Sequence, residues 1–222
     1  RTMNTSQLNI LVTGGGGFIG KALSIRLIQL GYNVTSLSRN VYPELKAMGI
    51  SSIEADITNL EAIMEACNKI DVVFHIAAKV GVWGTYKDFY KVNVRGTENI
   101  IKACKHHNIT KLIFTSSASV IFDGNDIING DESLLYPKYP QSFYTETKGI
   151  AEKMILQANS EILKTISLRP HIVWGPGDTN IIPGIIKRAR KKQVKFINNG
   201  LAKIDTTYID NLVDAQILAL EK

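Results

Sequence analysis

Short runs of apolar, β-branched residues alternate along this chain with longer stretches in which apolar positions recur every three or four residues. The short runs predict strands at 8–13 (LNILVT), 33–38 (NVTSLS), 52–55, 71–76 (DVVFHI), 111–117 (KLIFTSS), 165–169 (TISLR) and 204–209. The longer stretches predict helices near 18–30, 58–67, 86–106, 142–159 and 210–221. The first run is almost continuously apolar, as expected of a strand with helices over both faces of its sheet. Alternation of this kind predicts an α/β fold built on a doubly wound parallel sheet. The pattern loosens after Gly175-Pro176-Gly177, where turn residues and a basic segment interrupt it.

Composition narrows the class. The 222 residues suffice for one large α/β domain or two small ones, and 45% hydrophobic with 21% charged residues is a globular balance. No apolar run approaches the ~20 residues of a membrane-spanning helix, and the N-terminal RTMNTSQ lacks the apolar centre of a signal peptide. A cytoplasmic protein without a transmembrane segment is therefore expected, with Arg1-Thr2 read as a cloning remnant. Cys67 and Cys104 fall in helical patterns without metal-ligand spacing and read as reduced thiols. His75, His106, His107 and His171 form no i,i+4 pair, so no metal is expected. The formal charge of +6 is local, because "KRARKKQVK" at 187–195 holds six basic and no acidic residues. Such a run can bind nucleic acid or an anionic surface, but it is more often the solvated face of a helix. Without interleaved aromatics or a nucleic-acid motif, no nucleic-acid partner is expected.

"ILVTGGGGFIGKAL" joins the first predicted strand to the first predicted helix. Gly14, Gly17 and Gly20 form G-x-x-G-x-x-G, and Gly15, Gly17 and Gly20 also satisfy G-x-G-x-x-G. In either register glycine permits the tight turn, backbone approach to a pyrophosphate, and close helix–strand packing. Phe18 and Ile19 then open the helix, whose N–H groups and positive dipole end can meet the phosphates. The strand–turn–helix context points to a dinucleotide-binding Rossmann domain over 8–177. Residues 178–203 then begin a substrate-binding region, and 204–222 return to the first domain as a strand and a helix. The second strand ends in Ser36-Leu37-Ser38-Arg39-Asn40, with no carboxylate to accept hydrogen bonds from a ribose 2′-hydroxyl. Arg39 can fork onto a 2′-phosphate with Ser38 assisting, so NADP(H) is favoured and NAD(H) stays open; a plain surface arginine is the alternative. Asp56 and Ile57 are placed for the adenine edge, and Ala77 and Ala78 for close backbone approach.

Ser117 ends the fifth predicted strand, 27 residues before Tyr144. Tyr144 and Lys148 are an i,i+4 pair and share a helix face. A free phenol, with a pKa near ~10, is a poor proton carrier at neutral pH. An adjacent ammonium and a cationic nicotinamide would favour the phenolate, making tyrosine an acid for carbonyl reduction or a base for alcohol oxidation. Ser117 would hydrogen-bond the same oxygen.

With these residues in place, the chain resembles the extended short-chain dehydrogenase/reductases, which include nucleotide-sugar epimerases and 3β-hydroxysteroid dehydrogenases. The resemblance runs from Asn9 to Ala219 through "TGGGGFIG", "ADI", "VFHIAA", "NVRGTENI", "TSSASV", "YTETK", "LRPHIVWGPGD" and "YIDNLVDA". It implies that Tyr144 and Lys148 are the catalytic pair, Ser117 the oxyanion partner, and Lys148 also the holder of the nicotinamide ribose. It further implies a structural role for Asn93 and a place for Pro170 and His171 beside the nicotinamide. "TSSASVIFDGNDIINGDESLLYP" is similar to the 3β-hydroxysteroid and sterol-4-carboxylate dehydrogenase branch. "RNVYPELKAMGI", "HIAAKVGVWGTY" and "SASVIFDG" are closer to bacterial 2-alkyl-3-oxoalkanoate reductases, which use NADPH. These likenesses imply a long-chain β-keto or β-hydroxy acid, or a sterol, as substrate.

The Val80–Gly84 loop, with Val82 and Trp83, suits such an apolar substrate at the pocket mouth; Trp83 as a packing anchor is the alternative. Lys79 can meet a carboxylate or a phosphate, or simply be solvated. Sugar dehydratases are disfavoured because Ala118-Ser119 stand where they carry Asp-Glu, and no G-x-S-x-G elbow of a serine hydrolase is present. A nucleotide-sugar epimerase or reductase, and a non-catalytic cofactor-sensing protein, remain the other readings. Members of the resembled family run longer, so this chain is expected to bind NADP(H) but turn over poorly. A homodimer through the helices at 86–106 and 142–159 is a further expectation.

Overall fold

The computed structural model describes residues 8–81, 83–195 and 197–222, so the readings made on residues 1–7 and on Val82 lie outside the described residues. Six parallel strands form the sheet: β1 (Asn9–Thr13), β2 (Asn33–Ser38), β3 (Ser51–Glu54), β4 (Val72–His75), β5 (Lys111–Thr115) and β6 (Lys164–Leu168). Their order is β3-β2-β1-β4-β5-β6, so the winding reverses between β1 and β4. In such a sheet the crevice for a ligand opens beyond the carboxyl ends of the strands at that reversal.

The helices are α1 (Phe18–Gln29), α2 (Pro43–Ala47), α3 (Leu60–Ala66), α4 (Tyr86–Phe89), α5 (Gly96–His106), α6 (Phe143–Gln157), α7 (Ile181–Arg190) and α8 (Ile209–Glu221). They cover both faces of the sheet. Alternate residues of each central strand therefore enter different cores, which explains why β1 is apolar throughout. Leu11, Val73 and Leu112 pack with Ile63, Ile100 and Ile155 of α3, α5 and α6. Ile10, Val12 and Phe74 pack with Leu23 and Leu27 of α1 and Val213 and Leu220 of α8. Each such side chain contributes about 1.5–3 kcal/mol by leaving water.

Several boundaries differ from the sequence expectation. The predicted helix at 86–106 is α4 and α5 joined by a π-helical stretch, Tyr90–Arg95, that carries the buried Asn93. The fifth strand stops at Thr115 rather than at 117, because Ser117 caps a short 3₁₀ turn, Ala118–Ile121, by accepting a hydrogen bond from Ser119 N at 3.2 Å. The strand expected at 204–209 shrinks to β8 (Thr207–Tyr208), paired in parallel with the unpredicted β7 (Val173–Trp174). α2 was too short to show a period. The basic run lies partly on α7, whose lysines and arginines are exposed, as a solvated helix face would be. Among the described residues no helix is long and apolar enough to cross a membrane.

Candidate active site

The glycine turn leaves β1 at the sheet's reversal. Gly14 has φ +71°, and a Cβ there would lie 3.0 Å from the Ala77 backbone, so two strand ends meet without a side chain between them. A Cβ on Gly20 would stand 2.2 Å from the Gly14 carbonyl oxygen, so α1 closes onto the turn only with glycine there. α1 starts at Phe18 after Gly17, with no side-chain cap and no acidic residue in its first turn. Its first N–H groups, including those of Phe18 and Ile19, and its positive dipole end are left for an anion. This narrow, side-chain-free, electropositive cradle fits the pyrophosphate of a dinucleotide.

The second strand's end joins the same cradle. Ser38 Oγ accepts from Gly16 N at 3.0 Å, tying it to the glycine turn. Arg39 beside it is exposed and makes no ion pair among the described residues. Exposed Asp56 accepts from Thr58 N at 2.8 Å, while the buried Ile57 gives its carbonyl to Asn99 Nδ2 at 3.0 Å. Ile57 also lies so close to Gly96 that a Cβ there would meet it at 2.5 Å. α5 therefore fixes the segment expected at the adenine.

A buried chain of hydrogen bonds connects this end to the other. Thr13 Oγ1 accepts from Ile76 N and Ala77 N at 3.1 and 3.2 Å, so its own proton is directed to His75 Nδ1 at 2.8 Å. Thr97 Oγ1 donates to the Asn93 carbonyl at 2.6 Å and therefore accepts from His75 Nε2 at 2.9 Å. The imidazole is thus neutral with its proton on Nε2. Burial, and secondarily the charge of Lys148, lower its pKa to about 3. Asn93 accepts from Lys79 N at 2.7 Å, and its Nδ2 donates to Lys79 O at 3.1 Å and to Thr147 Oγ1 at 3.0 Å. The chain ends on α6, beside Lys148.

α6 begins at Phe143 with Ser142 as its cap, accepting from Thr145 N at 3.1 Å. One turn orders Tyr144, and the next brings Lys148 under the sheet edge. Lys148 is buried, donates to the Thr115 carbonyl at 2.7 Å and sits 4.0 Å over the Phe114 ring. Burial pushes its pKa down to about 7, with the charge of Glu152 opposing. Burial raises the Tyr144 phenol above its ordinary value, and the neighbouring Ser117 hydroxyl draws it part of the way back. Ser117 Oγ and Ser119 Oγ share a hydrogen bond at 2.9 Å in which either hydroxyl can donate, so the Ser117 proton is free to turn toward a substrate oxygen. Desolvation is thus the leading influence on the phenol, and it acts against the lowering expected from a lysine and a cationic nicotinamide together. Pro170 gives its carbonyl to Ala118 N at 3.0 Å and so flanks the Ser117 turn, while His171 N donates to Thr207 Oγ1 at 3.2 Å.

A profile of the 3-beta hydroxysteroid dehydrogenase/isomerase family matches residues 11–222. The chain belongs to that family. It is 42% identical to the 2-alkyl-3-oxoalkanoate reductase of Stenotrophomonas maltophilia, covering 96% of this chain and 66% of the relative. It is 37% identical to the decarboxylating sterol-4-alpha-carboxylate 3-dehydrogenase of Mus musculus, covering 95% and 58%. The chain thus spans less than two thirds of either relative's length. Among solved structures, UDP-glucuronic acid 4-epimerase from Bacillus cereus in complex with NAD superposes with a TM-score of 0.83. It is 29% identical, with 96% of this chain and 73% of that one covered.

In this 3-beta hydroxysteroid dehydrogenase/isomerase family member, several supporting groups escaped sequence reasoning. Gln216 reaches in from α8, fully buried, and donates to Thr115 Oγ1 at 2.8 Å, bracing the residue whose carbonyl holds Lys148. Glu152, four residues beyond Lys148, is fully buried and paired with Arg169 at 2.6 Å. The i,i+4 spacing of Lys148 and Glu152 was the one available signal for it. His75, at the end of an otherwise apolar strand, was another. Trp83 is 87% exposed, which removes its reading as a packing anchor. Lys79 places its ammonium 5.1 Å from the centre of the Phe89 ring.

Proposed function

We propose that the chain carries the cofactor half and reacting groups of an NAD(P)-dependent dehydrogenase/reductase. It would interconvert a 3-oxo and a 3-hydroxy group on a hydrophobic substrate, a long-chain β-keto or β-hydroxy acid or a sterol. The observation that carries this reading is the Tyr144 phenol beside the Ser117 hydroxyl, at the carboxyl edge of the sheet that also holds the glycine cradle. A bound nicotinamide supplies or accepts the hydride. Tyr144, kept protonated by burial, donates its proton to the carbonyl oxygen as that oxygen becomes a hydroxyl. Ser117 donates to the same oxygen and steadies its developing charge. Lys148 would hold the nicotinamide ribose, and Gly14, Gly17, Phe18, Ile19 and Gly20 would hold the pyrophosphate. The names of the reductase and sterol dehydrogenase relatives support the substrate class.

Arg39, exposed and unpaired among the described residues next to Ser38, supports NADP(H) over NAD(H). We further read 8–177 as the cofactor domain, 178–203 as the start of the substrate region and 204–222 as its return. The likeness to epimerase structures supports a second reading, action on a nucleotide sugar. A panel of β-keto acid, 3-ketosteroid and UDP-sugar, assayed for NADPH and NADH oxidation or sugar conversion, separates the two. Turnover confined to the UDP-sugar overturns the first reading.

A further inference from the structure

The connection between β5 and α6 folds around a cavity of about 950 Å³, lined in equal measure by apolar residues such as Ile121, Ile127 and Leu134 and by polar ones such as Asp123, Asp126 and Asp131. Both ends of this loop are rooted at the reacting groups. Ile121 closes the 3₁₀ turn capped by Ser117, and Gln141 directly precedes Ser142, the cap of the helix that carries Tyr144. The loop's own hydrogen bonds are local. Asp123 accepts from Asn125 N and Asp131 from Ser133 N, each at 2.9 Å, and Gln141 donates to the Asp123 carbonyl at 3.1 Å.

Tyr136 is different. Among the described residues, it supplies the hydrogen bonds that join 123–141 to the body of the protein. Its hydroxyl donates to Glu152 Oε1 at 2.5 Å, and its ring lies along α6 at Gly149, where a Cβ would touch it at 3.6 Å. Glu152 is itself immobilised. Arg169 pairs with it through Nη2 at 2.6 Å and Nε at 3.0 and 3.1 Å, and Ser167 Oγ donates to it at 2.9 Å. The Arg169 guanidinium also lies 5.4 Å from the centre of the Tyr136 ring. A buried carboxylate so fully satisfied is a rigid anchor.

We propose that Tyr136 latches the β5–α6 loop onto the Glu152–Arg169 pair, holding that loop as the wall of the subsite for the substrate's apolar part. This rests on the reductase reading above and extends it. A substrate whose carbonyl meets Ser117 and Tyr144 has its chain one short turn from Ile121. The loop carries Asp123, Asp126, Asp131 and Glu132 against Lys138 alone, an acidic balance that disfavours a nucleotide diphosphate, and Ile121, Ile127 and Leu134 are the apolar contacts it offers an alkyl chain or sterol. The Tyr136 phenol, pushed up to about 12 by burial and by its bond to Glu152, keeps its proton at working pH.

Tyr136→Phe tests the latch by removing one hydroxyl while leaving the Glu152–Arg169 pair. Lys138 is the one lysine or arginine between Lys111 and Lys148, so tryptic cleavage after it reports on the loop. In the wild type, 3-hydroxydodecanoate with NADP⁺ should protect that bond, and 3-hydroxybutyrate should not. In the variant, cleavage should quicken and protection vanish. The preference in kcat/KM for a long-chain 3-oxo acid over acetoacetate should fall by about tenfold, with NADPH affinity unchanged. Faster cleavage with preference and protection intact makes Tyr136 a merely structural tie and overturns the proposal. Should the wild type turn over no 3-oxo acid, the reductase reading fails, and protection by 3-hydroxydodecanoate alone decides the latch.

Discussion

Lys148 is a lysine with almost no water around it, and its titration departs far from an ordinary surface lysine. Its pKa falls from 10.5 to about 7. Below about 7 the lysine is charged in folded and unfolded chains alike, and the fold bears the cost of burying that charge. Between about 7 and 10.5 only the unfolded chain keeps the proton, so this group makes the fold more stable as pH rises. Lys148→Met should therefore raise the Tm on the acid side of that window while ending turnover; a lower Tm there contradicts the account. His75 has the same sign at lower pH. The unfolded chain binds its proton near 6.5 and the folded chain only near 3, so stability is full above 6.5 and falls as pH drops toward 3. The full loss is on the order of 5 kcal/mol. Urea unfolding at stepped pH should show this slope in the wild type and a shallower one in His75→Gln. Equal slopes would mean that the imidazole is not held neutral.

At the scale of elements, α1 and its turn depend on contacts that admit no side chain. Gly20→Ala puts a methyl against the Gly14 carbonyl and should destabilise the fold by about 1–3 kcal/mol and weaken dinucleotide binding together. Unaltered NADPH affinity would remove the turn from the cofactor site. At the end of β2, Arg39→Asp should move preference from NADPH toward NADH, read as the ratio of their kcat/KM values; an unchanged ratio makes Arg39 a bystander. On α6 the sequence was legible as far as helical spacing reaches. Tyr144 and Lys148 share a face because they are four residues apart, and that much follows from 3.6 residues per turn. What each side chain meets does not follow. The Lys148 partner is a carbonyl of β5, and the Glu152 partners come from β6 and the β5–α6 loop. The upward push on the Tyr144 phenol is likewise beyond spacing, since depth of burial is a property of packing.

Across the whole molecule, the alternation of apolar runs and helical periods was enough to read the doubly wound sheet, and the glycine string located its first turn. The reversal between β1 and β4 then explains why motifs as distant as Gly14, Asn93, Ser117 and Tyr144 converge at one edge. The Thr13–His75–Thr97–Asn93–Thr147 chain crosses that reversal, and none of its pairings could be read from spacing beyond Asn93 and Thr97. The segment after Gly177 stayed least legible because its helix, α7, buries none of its side chains. The central claim is that Tyr144 transfers the proton to a 3-oxo group reduced from a cofactor held by this sheet. Its most direct measurement is NADPH oxidation with a long-chain 3-oxo acid by wild type and Tyr144→Phe, alongside NADPH titration of both. The account predicts equal NADPH affinity and a loss of turnover of at least ~10²-fold in the variant; retained turnover in Tyr144→Phe would contradict it.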